Sequence, residues 1–190
     1  MARRARLFVV SGPAGVGKGT LVERVRALRP TVAVTVSATT RQPRPGEVDG
    51  KSYHFLTDDE FTRLVEDGQF LEWANVHAHR YGTLKSEVDG KLAAGLSVIL
   101  EIDVQGGTSV SRLYPDVVRI FVEPPSFEVL EARLRGRGTE DEQSLALRLK
   151  NAKGELEQAS GYDVRIVNDD LEVAVAELDA TIDRYEQEEG

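Results

Sequence analysis

Gly12-Pro13-Ala14-Gly15-Val16-Gly17-Lys18-Gly19-Thr20 is the stretch on which the reading of this chain turns. Leu7-Phe8-Val9-Val10 precedes it, a short apolar run that reads as a buried strand. Leu21-Val22-Glu23-Arg24-Val25-Arg26-Ala27-Leu28 follows, with Leu21, Val22, Val25 and Leu28 on one helical face. A glycine-rich turn between a buried strand and a helix is the setting of a phosphate-binding loop. Glycines reach positive φ, so successive N–H groups can face one hollow, and the helix N-terminus adds partial positive charge. Lys18 adds a mobile full charge. Gly12, Gly17 and Lys18 meet the spacing Gly, four residues, Gly, Lys; the hydroxyl residue expected next is replaced by Gly19, with Thr20 following. The hydroxyl that would touch Mg²⁺ is thereby displaced by one position. The metal's protein ligands are unknown from sequence, and the ion is expected to be held mainly through nucleotide phosphates and water.

At 190 residues and 41% hydrophobic content, the chain suits one compact unit with inserted lobes. A net charge of −8 excludes any general attraction to nucleic acid or an anionic membrane. Cations for a polyphosphate must therefore be clustered locally. Absence of cysteine rules out disulfides and thiolate metal sites. Arg3, Arg4 and Arg6 resemble a leader's basic start, but the apolar run behind them is too short for a signal core. A cytoplasmic protein is expected.

Along the chain, Thr31 to Ser37 alternates and is β-branched, which predicts a strand. The loop Ser37-Ala38-Thr39-Thr40-Arg41-Gln42-Pro43-Arg44-Pro45-Gly46-Glu47 offers two guanidinium forks, Arg41 and Arg44, suited to a second phosphate. Tyr53-His54-Phe55 predicts a hairpin strand, and Thr57 with Glu60 a capping box. Glu72 lies between Leu71 and Trp73, so in a strand it faces away from both: either to solvent or to a ligand's donors. His77 and His79 share a strand face without a third metal ligand, and they and His54 are expected at the surface. Leu96 to Asp103 predicts a buried strand with acids at its carboxyl end, where open α/β sheets bind ligands. Asp103 there can orient a metal-bound water or bind substrate. Strands are further predicted at Val117–Val122 and Asp163–Asn168, with helices from Ser126, from about Glu142 and over 171–185. Arg133, Arg135 and Arg137 form a cationic loop with Gly136 and Gly138 as hinges. Strands alternating with helices argue a parallel α/β sheet; the stretch 36–86 breaks the alternation and should form a separate lobe.

In this order the motifs resemble the guanylate kinase family over nearly the whole chain. The carriers are the loop through Lys18-Gly19-Thr20, the 37–47 loop, Gly50-Lys51-Ser52-Tyr53-His54-Phe55 and Leu71-Glu72-Trp73-Ala74. Tyr81-Gly82-Thr83, Glu101-Ile102-Asp103-Val104-Gln105-Gly106, Arg135 to Glu140 and Arg148 complete them. The resemblance implies a P-loop NTPase core with a five-stranded parallel sheet flanked by helices (1–35, 87–126, 157–190). It also implies an inserted GMP-binding lobe (36–86) and a lid (127–156). It implies γ-phosphoryl transfer from ATP to GMP, and to dGMP, with Mg²⁺ as cofactor and no obligate protein partner. Ser37, Glu72, Thr83 and Asp103 would contact guanine; Arg41, Arg44, Tyr53 and Tyr81 would hold the GMP phosphate. Gly12 to Thr20 would hold the ATP phosphates, helped by Arg133 and Arg137, with Asn168 on the adenine or ribose side. Lys18, Arg41, Arg137 and Arg148 would stabilise the moving phosphoryl group. Three rivals remain at this stage, one of them a kinase of the same superfamily acting on another phosphorylated acceptor, against which the Glu72 region argues. Asp103-Val104-Gln105-Gly106 mimics a GTPase switch, although no Asn-Lys-x-Asp motif accompanies it. A non-catalytic scaffold is the third, although its phosphate loop would be expected to be damaged.

Overall fold

The structure is a computed structural model describing residues 3–76, 78–136 and 142–188. The chain opens with strand β1 (Leu7–Ser11), the glycine-rich loop and helix α1 (Lys18–Leu28). Strands β2 (Val32–Val34), β3 (Ala38–Thr39) and β4 (His54–Phe55) lead to helix α2 (Asp58–Glu66). Then come β5 (Phe70–Val76), β6 (His79–Leu84), α3 (Lys85–Ala93), β7 (Ser97–Glu101) and α4 (Val104–Leu113). The last third holds β8 (Val118–Glu123), α5 (Phe127–Arg135), α6 (Glu142–Leu156), β9 (Val164–Val167) and α7 (Leu171–Gln187).

Strands β2-β7-β1-β8-β9 form a five-stranded, all-parallel sheet with β1 at its centre. Successive side chains of a strand point to opposite faces. Accordingly Phe8 and Val10 pack with α1 (Leu21, Val22, Val25) and α7 (Ala174, Val175, Leu178, Ile182) on one side. Leu7 and Val9 pack with Val88 of α3 and Val110 of α4 on the other. Both faces are covered, which is why the central strands read as unbroken apolar runs. Helix ends follow local chemistry. Thr57 and Glu60 make the expected capping box, and Ser126 and Asp170 each cap a helix through the side chain. Arg3, Arg29 and Ser97 converge on the buried carboxylate of Glu186, joining the N-terminal segment, α1 and the sheet to the end of α7.

Strands β4-β3-β6-β5 form a second, four-stranded sheet. Three expectations are corrected here. The strand predicted over 31–37 ends at Val34: the chain leaves the core sheet, and Ala38–Thr39 pairs with Tyr81–Gly82 in the small one. Leu28, expected on the buried face of α1, is 63% exposed at the last position of the helix. His54 is not a bare surface residue: its Nε2 lies 2.9 Å from Oε1 of Glu87. The other Glu87 oxygen accepts from Val36 N–H at 3.2 Å and from Lys91. Glu87 thus ties the small sheet and the 35–37 crossing to α3. Burial pushes its carboxyl up, but the bonds from Lys91, His54 and Val36 outweigh this and leave it below the usual range. His79 starts β6, while His77 lies outside the described residues.

Candidate active site

The glycine-rich loop is held open by its backbone. Gly12 has φ +144°, and a Cβ there would land on the carbonyl oxygen of Val122 in β8. Gly17 caps α1 in the left-handed conformation (φ +98°) with no side-chain hydrogen bond and no acidic residue in the following turn. The first N–H groups of α1 therefore keep their capacity for an anion. Asn168, at the end of β9, is buried and donates from Nδ2 to Val16 O at 2.8 Å, so it braces the loop from behind. Arg133 donates from both terminal nitrogens to Asn168 O at 3.0 Å. Lys18 Nζ folds back onto the carbonyls of Gly12 and, at 3.1 Å, Pro13. Burial pushes its amine below the ordinary lysine range, opposed by the charges of Glu101, Glu155 and Asp103.

A cavity of about 600 Å³ adjoins this loop. Gly19 of the loop and Glu101 of β7 line one end; Ser37, Tyr53, Glu72, Tyr81, Thr83 and Asp103 line the remainder. Six residues scattered over 37–103 in the sequence are thus gathered at the carboxyl edge of the sheet. A register shift between Phe70 and Glu72 puts Glu72 directly opposite Thr83. The irregularity turns Leu71 into the core beside Leu7 and Val9, and Glu72 into the cavity. Thr83 Oγ1 donates to Glu72 Oε1 at 2.7 Å. Burial pushes the Glu72 carboxyl up, the Thr83 hydroxyl pulls it down, and the nearby charge of Asp103 pushes it up further; the net shift is upward. Asp103 caps α4, accepting from Gly106 N–H at 2.7 Å through Oδ1.

The arginines singled out from the sequence stand apart from the cavity lining, to which α1 contributes Arg26 instead. Arg41 pairs with Glu47 and lies 5.4 Å from the centroid of the Tyr53 ring, at the cavity's rim. Arg44 is exposed in the same turn, and Arg148 lies on an exposed face of α6. Arg133 and Arg135, expected in a loop, lie instead in the last turn of α5, and Arg137 falls outside the described residues. Sequence reasoning passed over Glu47, Glu87 and Glu155. Only Glu47 carried a signal, as the acid closing a loop with two arginines.

A parallel sheet, an open glycine loop with an uncapped helix N-terminus, a lysine at its mouth and an acid-lined acceptor cavity alongside define a P-loop phosphotransferase with a small-molecule acceptor. A family model described as guanylate kinase matches residues 4–185. The guanylate kinase of Synechococcus sp. (strain CC9311) is 49% identical over 175 residues, 92% of each chain. That of Carboxydothermus hydrogenoformans is 44% identical over 179 residues, 94% of this chain and 88% of the other. Among solved structures, guanylate kinase from Anaplasma phagocytophilum superposes with a TM-score of 0.72 at 30% identity, covering 98% of this chain and 89% of that one. A gluconokinase from Sinorhizobium meliloti 1021, at 19% identity, 96% and 94% coverage and a TM-score of 0.51, shares the fold alone. The chain belongs to the guanylate kinase family.

Proposed function

We propose that the chain transfers the γ-phosphoryl group of ATP to GMP, giving ADP and GDP, and that dGMP serves as a second acceptor. The observation that carries this reading is the cavity joining Gly19 of the phosphate loop to Glu72, Thr83 and Asp103. By analogy with phosphorylated side chains, the phosphate of GMP has a second pKa of about 6, so it is mostly a dianion at neutral pH and is already a nucleophile. No general base is then required. The protein's work is alignment and charge neutralisation along an in-line path. Loop N–H groups and Lys18 hold the outer ATP phosphates. Arg41 and Arg44, with Tyr53 and Tyr81, hold the acceptor phosphate. Arg133, Arg137 and Arg148 act from the 127–156 segment as a lid, with 36–86 as the acceptor lobe. The separate sheet carrying Glu72, Tyr81 and Thr83 supports that division.

Guanine presents N1–H and N2–H side by side, and the two oxygens of one carboxylate accept both. Adenine places an acceptor at N1, which Glu72 repels. Thr83 fixes one oxygen of Glu72, so the pair is oriented before the base arrives.

Magnesium fits this chain as an ion carried on the nucleotide. Among the described residues no three His, Asp or Glu side chains cluster as a metal cage. The Glu101 carboxylate lies 3.5–3.6 Å from where a Cβ on Gly19 would stand. Glu101 and Thr20, with water between, are the groups that would hold Mg²⁺ at the phosphates. When bound, the ion neutralises charge on the β- and γ-oxygens.

The test is a coupled assay of ADP release with GMP, dGMP, AMP, UMP and CMP as acceptors. GMP is expected to exceed AMP by orders of magnitude. Equal use of AMP, or GTP hydrolysis without any acceptor, would overturn the reading.

A further inference from the structure

Glu47 has no part in the chemistry above, yet the turn that carries the phosphate arginines is built around it. Its Oε1 and Oε2 accept from one terminal nitrogen of Arg41 at 2.8 and 3.0 Å. The same Oε2 accepts Arg44 N–H at 2.7 Å, and Glu47 N–H donates to Arg44 O at 3.0 Å. The other terminal nitrogen of Arg41 donates to Gln42 O at 2.7 Å. The guanidinium lies 5.4 Å from the centroid of Tyr53 and 5.8 Å from that of Phe55. Tyr53 meets Tyr81 edge-on at 5.9 Å, and both rings line the cavity. Although they belong to a surface loop, the Arg41 side chain is only 12% exposed and that of Glu47 only 22%.

Two effects of opposite sign attend a carboxylate in this place. As a competitor it would occupy Arg41 and repel a phosphate dianion. As a brace it would hold a long, flexible side chain where the phosphate arrives, removing the entropy that binding otherwise has to supply. The geometry decides between them. Glu47 is anchored by the backbone of Arg44 independently of Arg41, and it engages a single nitrogen of a group with five N–H donors. Gln42 O and the Tyr53 ring complete a fixed seat for the guanidinium.

We propose that Glu47 is a positioning residue for the acceptor phosphate: it seats Arg41 and closes the turn bearing Arg44, and touches neither nucleotide. The inference rests on the GMP reading above. Ionisation supports it, since the bonds from Arg41 and then from Arg44 N–H hold the Glu47 carboxyl below the ordinary range. The carboxylate therefore stays ionised to a lower pH than an ordinary one.

The experiment measures kcat and KM for GMP and for ATP separately in the wild type, Glu47→Ala, Glu47→Gln, Arg41→Ala and the Arg41→Ala/Glu47→Ala double variant. Guanosine and GMP binding are measured by calorimetry on the same proteins. Glu47→Ala is expected to raise KM for GMP about tenfold or more, with kcat changed less and KM for ATP unchanged. Guanosine affinity stays at the wild-type value, because only phosphate contacts are lost. Glu47→Gln keeps an acceptor oxygen and recovers most of the loss. In the Arg41→Ala background, removing Glu47 costs much less than it does alone. An unchanged or lowered KM for GMP in Glu47→Ala overturns the proposal in favour of competition. Parallel rises in KM for ATP or weaker guanosine binding overturn it in favour of general loop damage. A wild type that ignores GMP defeats the functional reading itself, whereas a GMP-active wild type indifferent to Glu47 defeats only this inference.

Discussion

The two halves of the site are made differently. The proposed ATP side is mostly backbone: nine consecutive residues, Gly12 to Thr20, running from the end of β1 into the first turn of α1 and braced by Asn168. Its parts are local, and apart from the Lys18 amine its donors are peptide N–H groups, which every residue but proline possesses. The proposed acceptor side is side chain. Ser37, Tyr53, Glu72, Tyr81, Thr83 and Asp103 come from several strands and loops, only Tyr81 and Thr83 sharing a strand, and the directions of Glu72, Tyr81 and Thr83 depend on register. A backbone site recognises charge and shape common to all nucleoside triphosphates. A side-chain site can place two acceptors against one base edge, and so can discriminate.

Substitutions should separate the halves. Lys18→Ala should lower kcat about 10³-fold or more, by analogy with charged groups in other phosphoryl transfers, with guanosine binding intact. Turnover near the wild-type level would remove Lys18 from the mechanism. Glu72→Gln should reduce the preference for GMP over AMP about 10²-fold, the worth of one or two charge-assisted hydrogen bonds. An unchanged ratio of kcat/KM for the two acceptors would mean that another residue reads the base. Gly17→Ala puts a Cβ 2.5 Å from Asn168 Nδ2 at a φ that side chains avoid. It should raise KM for ATP about tenfold and lower stability by about 1–3 kcal/mol, leaving KM for GMP alone. Equal damage to both KM values would show that the halves are not separable. The smallest effect concerns pH. The carboxyl of Glu72 is raised, chiefly by burial, so on acidification it protonates at a higher pH than an ordinary carboxylate and loses an acceptor. KM for GMP should therefore rise a few-fold as pH falls towards that raised value, over and above the titration of the phosphate at about 6. Glu72→Gln should show the phosphate component alone; identical profiles for the two proteins would refute the assignment.

Stability outside the site offers a further contrast. Glu186 is 1% exposed and gathers Arg3, Arg29 and Ser97 from three segments. Arg29 keeps Asp179 as a partner when Glu186 is lost. Glu186→Ala is expected to cost about 2 kcal/mol, read as a lowered urea midpoint, without altering either KM.

Much of the core was legible because its signals are periodic and local. The apolar runs at 7–10, 96–102 and 117–122 became β1, β7 and β8, and the capping box at Thr57 formed as read. The errors share a cause. Alternation over 31–37 marks extended chain but not the sheet to which it belongs, and the crossing after Val34 is set by pairing with β6. His54 looked unpartnered because Glu87 lies 33 residues away. Glu72 was recognisable as a carboxylate facing away from Leu71 and Trp73. Whether it met solvent or a cavity depended on the register shift before it.

By itself, the amino-acid sequence determined the phosphate loop and the parallel core, because a glycine's φ, a helix N-terminus and a strand's burial depend on near neighbours. Only the tertiary structure decided which carboxylates became acceptors in the cavity and which became braces. Glu72 faces Thr83 across 11 residues while Glu47 turns inward on Arg41. Identical side chains take opposite tasks there because Coulomb and hydrogen-bond energies depend on distance in space, which one-dimensional spacing does not encode.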